Sequence, residues 1–105
     1  MVNDVSCCIR FLTVIAGRKH KDALLDAIFA SGGRLLNLVY GKGSVSSSYI
    51  KEMLGLVLEE NKIIITCLIP GDKTDDVLDM LAVKFHFDRP NTGIAFTIPV
   101  EKLSF

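Results

Sequence analysis

Two stretches of the chain repeat one pattern, and this repeat restricts the fold more than any other feature. Residues 12 to 28 (LTVIAGRKHKDALLDAI) align without a gap on residues 65 to 81 (ITCLIPGDKTDDVLDML). In each copy a run rich in β-branched residues meets Gly or Pro-Gly, after which Asp and Leu recur at helical spacing. Each copy is therefore predicted to be a strand followed by a helix. The identical pairs are Thr13 and Thr66, Asp22 and Asp75, Leu25 and Leu78, and Asp26 and Asp79.

A second strand is predicted after each helix. Residues 33 to 42 (GRLLNLVYGK) and 93 to 102 (GIAFTIPVEK) both begin with glycine and alternate as strands do. The order β-α-β-β-α-β is that of a ferredoxin-like sandwich, an α+β fold with a four-stranded antiparallel sheet and two helices on one face. A length of 105 residues allows one such domain, residues 1–105.

Both predicted helices have an apolar stripe and a stop or start signal. The first, about 18 to 31, is predicted to end at Ser31-Gly32-Gly33, because glycine adopts positive φ readily. The second, about 72 to 85, starts with aspartates that complement the helix dipole. The residues predicted to face the core are Ala23, Leu24, Ala27 and Ile28 in the first helix, and Val77, Leu78, Leu81 and Ala82 in the second.

The predicted third strand is apolar on both of its faces. Residues 63 to 69 (IIITCLI) are typical of a strand that is covered on both sides, whereas the helices cover only one face of the sheet. We therefore expect another copy of the chain against the second face. The twelve basic and twelve acidic residues cancel, which favours association over repulsion.

The same charge balance excludes some classes of protein. Nucleic-acid-binding proteins carry a basic excess that this chain lacks. No apolar run reaches the roughly 18 residues of a membrane helix, and the first residues, MVNDVSCC, do not resemble an export signal. We expect a cytoplasmic protein that binds no nucleic acid and does not span a membrane.

The three cysteines do not predict a disulfide framework. Cys7 and Cys8 are expected in a strand, where neighbouring side chains point to opposite faces and cannot jointly hold one metal. They are interpreted as small residues that fill the strand.

The connector between the two halves, about 41 to 61, allows two interpretations. Gly41-Lys42-Gly43 could cradle a phosphate, or could only lead into a short helix. That helix would be capped by Ser46 or Ser47 and would present an apolar stripe at helical spacing. The stripe consists of Tyr49, Ile50, Met53 and Leu54, and Gly55 can end the helix.

No catalytic motif accompanies these features. His20 and His86 lie beside helix ends without a neighbouring nucleophile and are interpreted as surface residues. The serine run 46–48 lacks a Gly-x-Ser-x-Gly context, so capping explains it better than acyl transfer. The aspartates of the second helix do not form a closed oxygen shell for a metal. We therefore predict no enzyme and no metal site.

The strand order, Gly41-Lys42-Gly43 and the segment GIAFTIPVEK together resemble the nitrogen-regulatory P-II (PII) signalling proteins. In architecture, the resemblance covers nearly the whole chain. At the level of sequence motifs, it covers only the two segments just named. It implies a cytoplasmic homotrimer with inward-facing sheets that senses ATP or ADP, and often 2-oxoglutarate, between subunits. A long loop of such proteins docks on a transporter or an enzyme, and the connector lies at its place.

The resemblance also implies particular site residues. The residues that it implies for nucleotide or anion binding are Gly41, Lys42, Gly43, Thr92 and Gly93. The loop residues that it implies for partner binding are Ser46, Ser47, Ser48, Tyr49 and Lys51. The chain departs from the family at Ile94, where the family has lysine, and at Phe105, where the family continues into a basic tail. These departures indicate a divergent, short-loop branch.

Two other hypotheses remain open from the sequence. The chain could form a trimer of the same architecture that binds a divalent metal or another small ligand, as the related divalent-cation-tolerance proteins are thought to do. Alternatively, it could be a structural protein-interaction module without a ligand.

Overall fold

The computed structural model describes residues 2–41, 61–90 and 92–104. Eight helices and strands follow one another in these described residues. They are β1 (Val2–Asp4), β2 (Ile9–Gly17), α1 (Lys21–Ala30), β3 (Arg34–Gly41), β4 (Lys62–Pro70), α2 (Thr74–Lys84), β5 (Gly93–Pro99) and β6 (Lys102–Ser104). One turn of 3₁₀ helix precedes each α-helix, at Arg18–His20 and Gly71–Lys73.

The main sheet has four antiparallel strands in the order β3-β4-β2-β5. This order and the two helices confirm the predicted ferredoxin-like sandwich. The strands β1 and β6, which were not predicted as a separate pair, form a second, two-stranded sheet, called here the ribbon. The strand predicted over 93–102 breaks after Pro99, and its last residue enters the ribbon.

Both halves of the repeat fold alike. Strand β4 begins and ends 53 residues after β2, and the same offset separates the two 3₁₀ turns and the first residues of the two helices. Thr13 and Thr66, which are equivalent in the repeat, lie directly opposite each other in the β2–β4 ladder. An approximate twofold axis therefore passes between these two threonines.

The core lies between the helices and one face of the sheet. Alternate residues of β2 and β4 meet Leu24 and Ile28 of α1 and Val77 and Leu81 of α2. Ala23, predicted to be buried, is exposed, because the inward stripe of this short helix is centred on Leu24 and Ile28. Gly32 ends α1 with a φ of 106°, which confirms the predicted glycine stop.

In the described part of the chain, no helix lies on the opposite face of the sheet. Its exposed side chains include Val39, Phe96 and Ile98, which are 54%, 39% and 51% exposed. Alternate residues of β4 on this face, such as Ile64 and Leu68, are only half-buried. The described residues of the chain thus cover β4 on one of the two sides for which covering was predicted. The residues of this open face are Phe11, Thr13, Ile15, Asn37, Val39, Ile64, Thr66, Leu68, Ile94, Phe96 and Ile98.

The prediction for the first two cysteines is wrong. Cys7 and Cys8 do not lie in a strand but in the exposed turn between β1 and β2, where they form a disulfide with each other. The β1–β6 ladder ends at Asp4 and β2 begins at Ile9, and residues 6–8 form the turn between them. Cys67 is a buried free thiol, and burial raises its pKa.

Candidate functional site

A cleft of about 580 Å³ opens at the end of the sheet where β2 ends and β4 begins. Its volume lies in the range of small-molecule sites, roughly 300 to 1,000 Å³. Five of its eight described lining residues are basic, and none is acidic. The lining residues are Gly17, Lys19, His20, Lys62, Lys84, Phe85, His86 and Thr92.

The antiparallel sheet brings these basic residues together. The end of β2 lies beside the start of β4, so that Gly17 pairs with Lys62. The 3₁₀ turn that follows Gly17 carries Lys19 and His20 to the same edge, and α2 ends there with Lys84. Lys62 is 6% exposed, whereas Lys19 and Lys84 are exposed.

Aromatic contacts hold the end of α2 against the cleft. Phe85 is buried and packs edge-on against the His20 ring, with 6.3 Å between the ring centroids. The Lys84 ammonium lies 5.8 Å from the centroid of the Phe85 ring, within reach of a cation–π interaction. Phe85 therefore links His20 and Lys84, which come from opposite halves of the repeat.

The loop after α2 is fastened by Thr92. Its hydroxyl lies 2.6 Å from the His86 carbonyl and 2.9 Å from the Arg89 carbonyl, to which it can donate. The Arg89 amide also donates to the His86 carbonyl, at 3.0 Å. His86 has a φ of 61°, which turns the chain sharply after the helix. Thr92 thus shapes the rim of the cleft as well as lining it.

Both ends of the connector lie next to this cleft. Gly41 pairs with Lys62 in the β3–β4 ladder, and the Asn61 carbonyl accepts a hydrogen bond of 3.2 Å from the Arg18 amide. The Arg18 guanidinium carbon lies 4.5 Å from the centroid of the Tyr40 ring. A ligand in the cleft would therefore lie close to both points at which the connector leaves the sheet, because Gly41 and Asn61 are next to the lining residue Lys62.

One titratable group beside the connector is perturbed. Hydrogen bonding to Tyr40 raises the pKa of the Lys21 ammonium, with smaller contributions from the Tyr40 and Asp22 charges. The Asp22 carboxylate lies 3.7 Å from this ammonium. Lys21 therefore remains a cation in the neutral pH range.

The structure brings together some of the residues implied by the resemblance. Thr92 lines the cleft and Gly41 pairs with a lining residue. Gly93 begins β5, where an added Cβ would lie 2.5 Å from the Phe87 ring and 3.0 Å from the Ile15 carbonyl, so that it serves packing. The other residues named from the resemblance lie outside the described residues. They are Lys42, Gly43, Ser46, Ser47, Ser48, Tyr49 and Lys51.

Sequence reasoning missed the basic cluster itself. Lys19, Lys62 and Lys84 are far apart in the chain and belong to no motif. The basic run at residues 18 to 21 was the one local signal. His20 and His86, interpreted as separate surface residues, line the same cleft. Among the described residues, no group of three or more His, Cys, Asp or Glu is arranged to hold a metal ion.

No protein-family model matches the chain, and no curated protein matches its sequence. Similar solved structures exist. One is CPII, a nitrogen regulatory PII-like protein from Thiomonas intermedia K12 bound to ADP, AMP and bicarbonate. It is 17% identical, with coverage of 100% of this chain and 98% of CPII and a TM-score of 0.66. The chain has the PII-like fold.

Two further structures share the PII-like fold. A PII-like signaling protein from Thermus thermophilus is 14% identical, with coverage of 91% of this chain and 88% of that one and a TM-score of 0.66. PII from Arabidopsis thaliana, bound to citrate, is also 14% identical. The alignment covers 90% of this chain and 78% of the Arabidopsis chain, with a TM-score of 0.62. The PII resemblance is thus confirmed at the level of the fold. No helix in the described part of the chain is long and apolar enough to cross a membrane.

Proposed function

We propose that this chain is a non-enzymatic PII-like regulatory protein that binds an adenine nucleotide in the basic cleft and uses the connector to control a partner protein. The partner would be an enzyme or a membrane transporter, and the regulation would be related to nitrogen. The protein would act in the cytoplasm as a homotrimer of the divergent, short-loop branch.

The observation that carries the proposal is the charge of the cleft. Three lysines and two histidines line it, with no carboxylate among the described lining residues, although the whole chain has a formal charge of zero. Clustered cations that face one cavity favour a multiply charged anion there. A nucleoside diphosphate supplies such a charge together with an aromatic base, and Phe85 is an aromatic residue that lines the cleft.

The position of the connector supports a regulatory role. Gly41 and Asn61 hold its ends beside Lys62 and Arg18, so a bound anion would attract the basic residues at both ends. Lys42 and Gly43 follow directly on Gly41 and are proposed to complete the site together with Thr92 and Gly93. Ser46, Ser47, Ser48, Tyr49 and Lys51 would then form the partner-binding part of the connector.

The ligands of the structural neighbours agree with this chemistry. ADP, AMP and bicarbonate are bound to CPII, and citrate is bound to Arabidopsis PII. All four ligands are anions, as the basic cleft requires. The departure at Ile94 does not remove the cleft, because Ile94 is not among its described lining residues.

Calorimetric titration of the full chain with ADP, ATP, AMP and 2-oxoglutarate tests the proposal. We expect saturable binding of at least one adenine nucleotide. A charge-assisted hydrogen bond contributes about 1.5 to 3 kcal/mol, so Lys84→Glu should weaken binding by about tenfold or more. The matched control is Lys73→Glu, because Lys73 is exposed just before the first residue of α2, at the end opposite Lys84.

Two results would oppose the proposal. Absence of binding for every adenine nucleotide would remove the nucleotide-sensing function. Equal losses of affinity in Lys84→Glu and Lys73→Glu would show that the net charge of the chain matters and that the cleft does not.

A further inference from the structure

The disulfide between Cys7 and Cys8 lies far from the basic cleft. It occupies the turn before β2, whereas the cleft lies beyond the other end of this strand. Both cysteines are exposed to solvent, so a thiol reagent can reach either sulfur. Exposed disulfides are generally more labile than buried structural ones.

A bond between neighbours in sequence does little to stabilise a fold. A disulfide restricts the unfolded chain according to the length of the loop that it closes, and the sequence separation here is one residue. The Cα atoms of Cys7 and Cys8 are 3.8 Å apart, as in any two residues joined by a trans peptide. The bond therefore acts locally, on the conformation of the turn.

This turn connects three parts of the molecule. The Val5 amide donates to the Glu101 carbonyl beside the ribbon, at 2.7 Å, and the Cys8 amide donates to the Val5 carbonyl, at 2.9 Å. The Cys8 carbonyl accepts a hydrogen bond of 2.8 Å from the Gly71 amide, at the start of the 3₁₀ turn before α2. The cysteine pair thus lies where the ribbon, β2 and the entry to α2 meet.

The ribbon continues the β2–β5 ladder past an interruption at this turn. Asp4 pairs with Lys102 in the ribbon, and Arg10 pairs with Pro99 in the main sheet. Between these pairs one strand contains residues 5–9 and the other contains residues 100–101. The longer segment, residues 5–9, contains the disulfide. The conformation of the turn therefore sets the direction of the ribbon relative to the main sheet.

We propose that Cys7 and Cys8 form a reversible redox site, at which a thiol reductant of the glutathione class opens the disulfide and frees the turn between the ribbon and the main sheet. A thiolate of the reductant attacks one cysteine sulfur, the Cys7–Cys8 bond breaks, and the released thiolate takes up a proton. The thiol of a second reductant molecule loses its proton and attacks the reductant sulfur of the mixed disulfide, which releases the other cysteine as a thiol. Two electrons pass to the protein, and the reductant leaves as a disulfide.

Cys67 does not take part in this exchange. It is 2% exposed in the helix-facing layer of β4, and its burial raises its pKa, which lowers the fraction of reactive thiolate. A Cβ built on Gly33 would lie 3.2 Å from the Cys67 sulfur, which shows how closely the chain packs there. The exchange is therefore confined to the exposed pair.

The test uses the full chain equilibrated in glutathione redox buffers. The expected result is reversible interconversion, with two thiols that react with a chromogenic disulfide reagent after reduction and none before. Cys67→Ala is the control for the count, because it removes the buried thiol and keeps the pair. In the reduced protein, hydrogen exchange at the amides of Cys8 and Gly71 should be about tenfold faster or more, and that at the amides of Val14 and Ile65 should not change.

Cys7→Ser/Cys8→Ser provides an independent check, because it cannot form the bond and should exchange like the reduced protein. Three outcomes would overturn the proposal. They are a native disulfide that glutathione does not reduce, a reduced pair that oxidised glutathione does not close again, and identical exchange at Gly71 in the two redox forms.

Discussion

At the scale of single residues, Gly93, for which the resemblance implied anion binding, is closely packed. An added Cβ would lie 2.5 Å from two carbons of the Phe87 ring and 3.0 Å from the Ile15 carbonyl. Overpacking of this kind costs about 1 to 3 kcal/mol. We therefore expect Gly93→Ala to lower the free energy of unfolding by that amount in urea denaturation.

Gly17→Ala is the matched control for this prediction. No described atom lies within 4 Å of a Cβ built on Gly17, and its φ of −66° suits any residue. A stability loss in Gly17→Ala as large as that in Gly93→Ala would contradict the packing argument.

Asp4 lies beside the cysteine turn and has a lowered pKa. The Ser6 backbone amide, at 3.0 Å, is the main cause, and the Ser6 hydroxyl, at 2.7 Å, adds to it. Because the folded pKa lies below the unfolded one, this interaction stabilises the fold above the ordinary carboxyl pKa. The contribution is lost as the pH falls through the lowered, folded pKa.

Nuclear magnetic resonance titration of the Asp4 carboxyl group checks this prediction. Ser6→Ala should raise the Asp4 pKa only in part, because the backbone donor remains. Ser104→Ala, in the opposite strand of the ribbon, should leave the Asp4 pKa unchanged. Titration of Asp4 in the wild-type protein at the ordinary pKa of an aspartate would show that the two hydrogen bonds do not persist in solution.

At the scale of elements, the repeat predicted most of the fold. Because residues 12–28 and 65–81 share one pattern, a strand and a helix could be inferred twice, and the structure places both at the same offset. The ribbon could not be inferred, because β1 and β6 have three residues each and pair across nearly the whole chain. The cysteine turn was missed because a dipeptide has no periodicity that separates a strand from a turn.

The loop from His86 to Thr92 is the element that shapes the rim of the cleft. Thr92→Val removes the hydroxyl that lies 2.6 Å from the His86 carbonyl, and one such hydrogen bond contributes about 1 kcal/mol. We expect a stability loss of that size and faster hydrogen exchange at the Arg89 amide. Thr92→Ser keeps the hydroxyl and should behave like the wild type, so equal losses in both variants would refute this role.

At the scale of the whole molecule, the open face of the sheet is the surface that we propose the homotrimer buries. Phe96 and Ile98 are 39% and 51% exposed on it, and an aspartate in a buried apolar interface lacks a compensating partner. We expect Phe96→Asp to shift the protein from trimer to monomer in sedimentation velocity experiments.

Val83→Asp is the control for assembly, because Val83 is 76% exposed on α2, away from this face. A wild-type monomer, or a trimer that persists in Phe96→Asp, would argue against assembly through the open face.

The basic cleft is also a property of the whole molecule. Its lysines come from the turn after β2, the start of β4 and the end of α2, and only the sheet register brings them together. The resemblance to PII implied Gly41 and Thr92, which lie at the same end of the sheet as this cleft. It did not indicate Lys19, Lys62 or Lys84, because no short motif contains them.

The proposed function requires that an adenine nucleotide binds in this cleft and acts on the ends of the connector. Hydrogen–deuterium exchange of the full chain with and without ADP tests it most directly. We expect slower exchange in the presence of ADP at Gly17–Lys19, at Asn61 and Lys62, and over residues 85–92, with no change at the Cys7–Cys8 turn. Unchanged exchange in the cleft, or protection confined to another surface, would contradict it.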